Sequence, residues 1–172
     1  MDLSTRDRLA LVLTAPGQPL ESREAAATEL ARAGDRRAFE TLALLLNYRD
    51  ETRASRAAEA LALLGDPRTG RAAAALATNP LRVAYALPAI RLLVRLRAPE
   101  AVPALTTTLT RLVSGPPAPP APLPHQRIAL ACVQGLGELS AATSHPPAEQ
   151  ALRAAGAHPP LAEAAQVALA GG

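Results

Sequence analysis

The side chains best suited to recognition chemistry in this 172-residue chain are arginines. Arg91 and Arg95 stand four residues apart, so on a helix they project together from one face, one turn from each other. Each guanidinium can donate two parallel hydrogen bonds to a carboxylate or a phosphate. The spacing therefore predicts a site for an anionic partner.

Catalytic and metal chemistry find less support. Cys132 is the only cysteine, and its place in the middle of a predicted helix, beside the apolar face, favours a small buried thiol over a nucleophile. His125, His145 and His158 each adjoin a proline-rich joint, and no carboxylate or thiolate stands at ligand spacing, so we expect solvated rings and no metal. No phosphate-binding loop or paired carboxylates occur. The residues predict a protein that is not an enzyme and carries no cofactor.

The charge is unevenly distributed along the chain. All 18 basic residues are arginine, which fits the codon usage of a GC-rich genome better than selection for bidentate chemistry. Residues 1–66 carry nine arginines and eleven acids, whereas residues 67–112 carry seven arginines and only Glu100. This basic central region is either a binding surface or a set of solvated helix faces, and both interpretations stay open.

Composition points to helices. The chain has 41 alanines and 29 leucines, which favour helix, and its only aromatic residues are Phe39, Tyr48 and Tyr85. The start of the sequence mixes charges and lacks the apolar core of a signal peptide, and no apolar run approaches 18 residues. We therefore expect an all-α cytoplasmic protein that does not enter the membrane.

A pattern of apolar residues recurs four times, in residues 22–35, 53–66, 86–99 and 126–138. In each copy, apolar residues at offsets of zero, one, four and seven fall on one helical face. These positions are Ala26, Ala27, Leu30 and Ala33; Ala57, Ala58, Leu61 and Leu64; Ala89, Ile90, Leu93 and Leu96; Ala129, Leu130, Val133 and Leu136. A second helix is expected between copies, over residues 36–46, 67–77 and 99–113.

Turn residues mark the ends of these helices. Gly34 and Gly65 suit helix stops, and Asp35 and Asp66 suit the caps of the helices that follow. At the amino terminus, a short helix over residues 4–13 is expected with Ser4 as its cap.

The repeated pattern, an arginine followed by paired alanines, a leucine and a Gly-Asp turn, is clearest from Arg23 to Asp35, and residues 99–105 supply a matching proline-led helix. It resembles HEAT repeats, in particular the short bacterial phycobilisome-lyase HEAT-like type, over about residues 20–140. The resemblance implies a right-handed α-solenoid of about four helical-hairpin repeats with nine or ten helices. The hallmark arginine becomes Ala54, Ala86 and Gln126 in later copies, so their turns are expected to lack its bracing hydrogen bonds.

Together these patterns predict a single domain. Residues 1–19 would form a capping helix, 20–113 the repeats, 114–124 a proline-rich insertion loop, and 125–172 the last repeat and the carboxy-terminal cap. The loop is expected to be a plain connection and not a ligand for a proline-binding groove.

The predicted function is a non-catalytic binding module, a scaffold or adaptor that binds an acidic protein surface through its arginine-rich central repeat. The resemblance places the relevant helix face on the concave side of the solenoid. Binding to nucleic-acid phosphates is the alternative, and a bilin-lyase-like enzyme or subunit is third. Arg82 lies about half a turn off the stripe unless Pro88 kinks the helix. The predicted partner-binding residues are Arg32, Arg56, Arg82, Arg91 and Arg95.

Overall fold

The computed structural model describes residues 1–115, 123–140 and 144–171, and within them all regular structure is helical. The all-α prediction is confirmed. Most of the expected proline-rich insertion, residues 116–122, lies outside the described residues. The α-helices are α1 (Leu3–Thr14), α2 (Leu20–Arg32), α3 (Phe39–Leu46), α4 (Glu51–Leu64), α5 (Thr69–Thr78), α6 (Leu87–Leu96), α7 (Ala101–Val113), α8 (Gln126–Glu138), α9 (Pro146–Gly156) and α10 (Ala162–Ala170), with 3₁₀ segments at Arg36–Ala38, Pro80–Tyr85 and Pro159–Leu161.

The chain divides into two compact units, Met1–Ala73 and Ala74–Gly172, and the boundary falls within α5. In the first unit α1 packs on α2, and α2, α3 and α4 pack against one another. In the second unit α6 and α7 pack on α8, α7 also packs on α9, and α10 packs on both α8 and α9. Helices therefore contact both their neighbour in the chain and the next helix but one, as stacked helical hairpins do.

All four copies of the repeated pattern become helices, namely α2, α4, α6 and α8. Most of their predicted inward positions form the core, with Leu30, Leu61, Leu93 and Val133 fully buried, whereas Ala33, Ala58 and Leu130 are only half-buried. Leu96, the last residue of α6, is also only half-buried.

The predicted turns are confirmed. Gly34 and Gly65 both adopt left-handed backbone, with φ of 70° and 63°. This conformation ends a helix at little cost only when the residue has no Cβ. The Asp35 and Asp66 carboxylates then accept the backbone N–H two residues ahead, at 3.1 and 3.0 Å, and so begin the next helical segment.

The predicted cap of α1 is wrong. Asp2, not Ser4, caps the helix, and its carboxylate accepts from the Thr5 backbone N–H at 2.8 Å and from the Thr5 hydroxyl at 3.0 Å. Asp caps as well as Ser does, and Asp2 stands three residues before a threonine that can bond to it twice. The hallmark Arg23 braces the connection between α1 and α2, because its Nη2 donates to the Ala15 carbonyl at 3.1 Å.

Two glycines in α8 allow its neighbours to approach closely. A Cβ on Gly135 would lie 2.6 Å from both Val94 Cγ2 on α6 and Leu105 Cδ2 on α7. A Cβ on Gly137 would lie 3.0 Å from the Cβ of Ala168 on α10. Since glycine weakens a helix interior by about 1 kcal/mol, this close packing explains its place here.

Candidate functional site

Helix α6 exposes a narrow stripe that carries two arginines. Six of its ten residues are buried, and Arg91 and Arg95 are exposed one turn apart. Pro88 lies in the first turn, where its missing N–H costs nothing, so it starts the helix and does not kink it. We call Arg91 and Arg95 the α6 pair.

The α6 pair has no carboxylate partner among the residues that the structure describes. Residues four apart on a helix have Cβ atoms about 5–6 Å apart, so the two exposed cations repel each other weakly, and an anion that binds both relieves this repulsion. This arrangement can therefore accept an anion from outside the chain.

Two other arginines of the basic central region are engaged within the protein. Arg68 is held by Asp66 and lies over the Phe39 ring, 3.9 Å from its centroid. Arg111 donates from Nη1 to the Thr78 carbonyl at 2.9 Å, at the end of α5. Counting arginines along the sequence therefore overstates the free positive charge.

Arg82 does not lie on α6. It belongs to the 3₁₀ segment Pro80–Tyr85, and its guanidinium carbon is 5.6 Å from the centroid of the Tyr85 ring. In the same segment, Leu81 is 90% exposed and Tyr85 is 38% exposed. Exposed apolar side chains therefore lie in the segment that comes just before α6 in the chain.

Arg32 and Arg56 lie in the first unit, and both are ion-paired. Arg32 pairs with Glu29 on its own helix. Arg56 Nη2 is 2.8 Å from Glu24 Oε1, and the same carboxylate lies 2.9 Å from Arg53 Nε. Their positive charges are already balanced within the unit, unlike those of the α6 pair.

The turns after α2 and α4 share an arginine clamp. Arg37 binds the Asp35 carboxylate through Nε at 2.9 Å and Nη2 at 2.6 Å, and its Nη1 lies 2.8 Å from Asp7. Arg68 repeats this arrangement, with Asp66 at 2.9 and 3.0 Å, and its Nη1 lies 3.0 Å from Glu40. Hydrogen bonds from the arginine side chains are the main cause that lowers the pKa of both aspartates.

The turn after α6 lacks this clamp. Where the earlier turns have Gly-Asp-x-Arg, residues 97–100 read Arg-Ala-Pro-Glu. The backbone is unchanged, since Arg97 is left-handed at φ 45° and the Ala98 N–H bonds the Leu93 carbonyl at 3.2 Å. In the turn after α2, the Asp35 N–H bonds the Leu30 carbonyl in the same way at 2.9 Å.

Arg97 is exposed and has no ion-pair partner in the described part of the chain. Sequence reasoning did not include it among the site residues. The signal was present in the repeat register, where an arginine replaces the glycine of two earlier helix stops.

The remaining polar candidates occupy structural positions. Cys132 is fully buried, as predicted, and burial raises the pKa of its thiol to about 12. The expectation of solvated histidines is wrong for His158, which is buried, and its Nε2 lies 3.3 Å from the Val113 carbonyl oxygen. His145 Nδ1 accepts from the Ala148 N–H and caps α9, while His125 is exposed.

The described residues contain neither a metal-binding cluster nor a membrane-spanning helix. Among residues 1–115, 123–140 and 144–171, no three His, Cys, Asp or Glu side chains are grouped to hold a metal ion. None of the described helices is long and apolar enough to cross a membrane. A shallow depression between α1 and α3 contains Asp7 and Glu40, but both carboxylates are already ion-paired.

No protein-family model matches the sequence, and neither does any curated protein. The likeness to HEAT repeats therefore rests on the repeated residues themselves. The geometry of the α6 pair and of the turn that follows it carries the functional argument.

Proposed function

We propose that this protein is a non-catalytic binding module, a scaffold or adaptor, and that it binds an acidic surface of another protein through Arg91 and Arg95. One observation carries the proposal. The α6 pair is exposed and lacks a carboxylate partner among the described residues, whereas Arg32 and Arg56 are paired. An unpaired, preformed pair of guanidiniums suits bidentate binding of carboxylates.

The neighbouring surface favours a protein partner over nucleic acid. Leu81 and Tyr85 expose apolar area immediately before α6, and Arg82 lies against the tyrosine ring. Tyrosine and arginine around a desolvated apolar contact are typical of the centres of protein interfaces. A formal net charge of only +3 also differs from the strongly basic face of most nucleic-acid-binding domains.

The proposed architecture is a right-handed solenoid of about four HEAT-like repeats. Its support is the fourfold pattern of apolar residues and the repeated Gly-Asp turn geometry at Gly34 and Gly65. Stacked repeats present a rigid surface, so little conformational entropy is lost when a partner binds. The α6 pair would lie on the concave face of this solenoid.

The test is a pull-down from native lysate with the wild type and with the Arg91→Glu, Arg95→Glu double variant. The reversal places two carboxylates against an acidic partner, so we expect affinity to fall by more than about tenfold with the melting temperature almost unchanged. Wild-type binding should also weaken as salt rises, because exposed charges are screened.

A second double reversal, Arg8→Glu with Arg153→Glu, is the matched control. It changes the net charge equally at two exposed arginines on α1 and α9 and should leave binding intact. Salt-insensitive binding that survives reversal of the α6 pair would refute the proposal. Loss of the partner on nuclease treatment would instead identify nucleic acid.

A further inference from the structure

We propose that Arg97 is a third binding residue of this surface, and that the partner segment presents several carboxylates to Arg91, Arg95 and Arg97 together. The inference rests on the proposed function and deepens it, because it adds a residue and defines the partner as a carboxylate-rich peptide segment.

The first argument is the backbone at Arg97. It is left-handed, with φ of 45°, at the position where the two preceding copies have Gly34 and Gly65. A Cβ in this conformation costs free energy that glycine avoids. The turn makes the same closing hydrogen bonds with Arg97 as the earlier turn makes with Gly34, so the fold itself does not require the arginine.

The second argument is the rearrangement of charge in the same turn. In the earlier turns Asp35 and Asp66 bind their own arginines, two residues ahead. Here Ala98 supplies no carboxylate, and Arg97 has no ion-pair partner among the residues described. An external carboxylate would therefore meet a guanidinium that no internal carboxylate already holds.

The third argument is proximity. Arg97 follows Arg95 by two residues, so their Cα atoms are at most about 7 Å apart, which side chains of this length can bridge. Helix α6 ends at Leu96, so Arg97 lies just beyond it in the connection to α7, and a segment that binds the α6 pair needs to extend only past the end of the helix to meet it. Carboxylates on successive turns of such a segment repeat about every 5–6 Å, close to the spacing of the α6 pair.

The experiment measures binding of fluorescently labelled poly-L-glutamate by anisotropy, at low and at physiological salt, together with thermal unfolding. Arg97→Gly removes the guanidinium and supplies the residue that the backbone prefers. We expect its affinity to fall about three- to fivefold, the range of an exposed charge pair. We expect its melting temperature to rise by about 2–4 °C.

His125→Gly is the matched control. His125 is also exposed and left-handed, with φ of 53°, at the start of α8. Its replacement should raise the melting temperature similarly and leave poly-L-glutamate affinity unchanged. Arg97→Lys, which keeps the charge, should bind more tightly than Arg97→Gly.

The outcomes separate this inference from the proposed function. If Arg91→Gln with Arg95→Gln weakens binding but Arg97→Gly does not, Arg97 is not a binding residue and the inference is overturned alone. If the wild type fails to bind poly-L-glutamate, or binds only a DNA oligonucleotide, the proposed function is overturned with it. A lower melting temperature for Arg97→Gly would refute the backbone argument.

Discussion

The two units contain similar helices and turns but differ in their balance of arginines and acidic residues. Met1–Ala73 contains eleven arginines and eleven acidic residues, and Arg37 and Arg68 clamp the turns after α2 and α4. Ala74–Gly172 contains seven arginines and only four acidic residues, all glutamates, and the turn after α6 has no clamp. A helical hairpin therefore folds with or without its internal ion pairs.

Glycine is also used differently in the two units. In the first, Gly17, Gly34 and Gly65 supply the left-handed positions. In the second, the described left-handed residues are Arg97, His125 and Ser140, while Gly135 and Gly137 lie inside α8 at close helix contacts. The first unit thus has glycine at its left-handed turn positions, whereas the described left-handed positions of the second unit carry residues with a Cβ, and its glycines in α8 lie at close helix contacts.

The largest expected effect tests whether both units depend on equivalent cores. Leu61 and Leu93 are fully buried at matching positions of α4 and α6, so Leu→Ala at either should cost about 2–5 kcal/mol. Leu96→Ala should cost clearly less because Leu96 is only half-buried. Urea unfolding measures all three. Equal costs at Leu93 and Leu96 would contradict the repeat register.

The next prediction concerns packing that we find only in the second unit. Gly135→Ala should destabilise by about 1–3 kcal/mol, because the new methyl meets Val94 and Leu105 at 2.6 Å. At an exposed helical position the same change would stabilise. Gly156→Ala is the control, since its Cβ would meet only the Ala165 Cβ at an ordinary 3.8 Å. Thermal unfolding of both variants should give opposite signs.

The sequence predicted the helices and most of the inward residues because apolar periodicity and Gly-Asp turns are local signals. It placed Arg91 and Arg95 outward for the same reason. It could not show that Arg56 meets Glu24 across two helices, since that contact joins residues far apart in the chain. It also could not show that His158 reaches the Val113 carbonyl and becomes buried. Partners that lie on different helices decide which charges remain available, and spacing alone does not contain them.

The clamp of the first unit should make its stability depend on pH. Asp66→Ala removes a cap and a bidentate partner of Arg68, so we expect a loss of about 0.5–2 kcal/mol at neutral pH. The lowered pKa of Asp66 means that the folded state binds fewer protons than the unfolded one. Its contribution is thus present above the ordinary pKa of 3.8 and disappears as pH falls through the folded value.

Urea unfolding across this range checks the prediction. The difference in free energy of unfolding between the wild type and Asp66→Ala should shrink as pH falls below 3.8. A difference that stays constant down to about pH 2 would show that the carboxylate acts without its charge.

The smallest expected effect comes from moving the clamp into the second unit. The double variant Ala98→Asp with Glu100→Arg supplies the carboxylate and the arginine that the turn after α6 lacks. Pro99 already matches Pro67, and the left-handed residue before it is in place, so the backbone can accept the clamp. We expect a gain of about 0.5–1 kcal/mol in the free energy of unfolding, measured in urea.

The same variant should keep its affinity for poly-L-glutamate, because the new carboxylate at position 98 is held by the new arginine at position 100 and leaves Arg97 available. Adding Arg97→Gly gives residues 97–100 the sequence of residues 65–68, Gly-Asp-Pro-Arg. This triple variant should be the most stable of the three and bind least tightly, since the turn then satisfies its own charges and no longer presents the guanidinium of Arg97. A stabilised triple variant that binds as tightly as the wild type would show that Arg97 is unrelated to recognition, and that the two units differ only in how their turns are built.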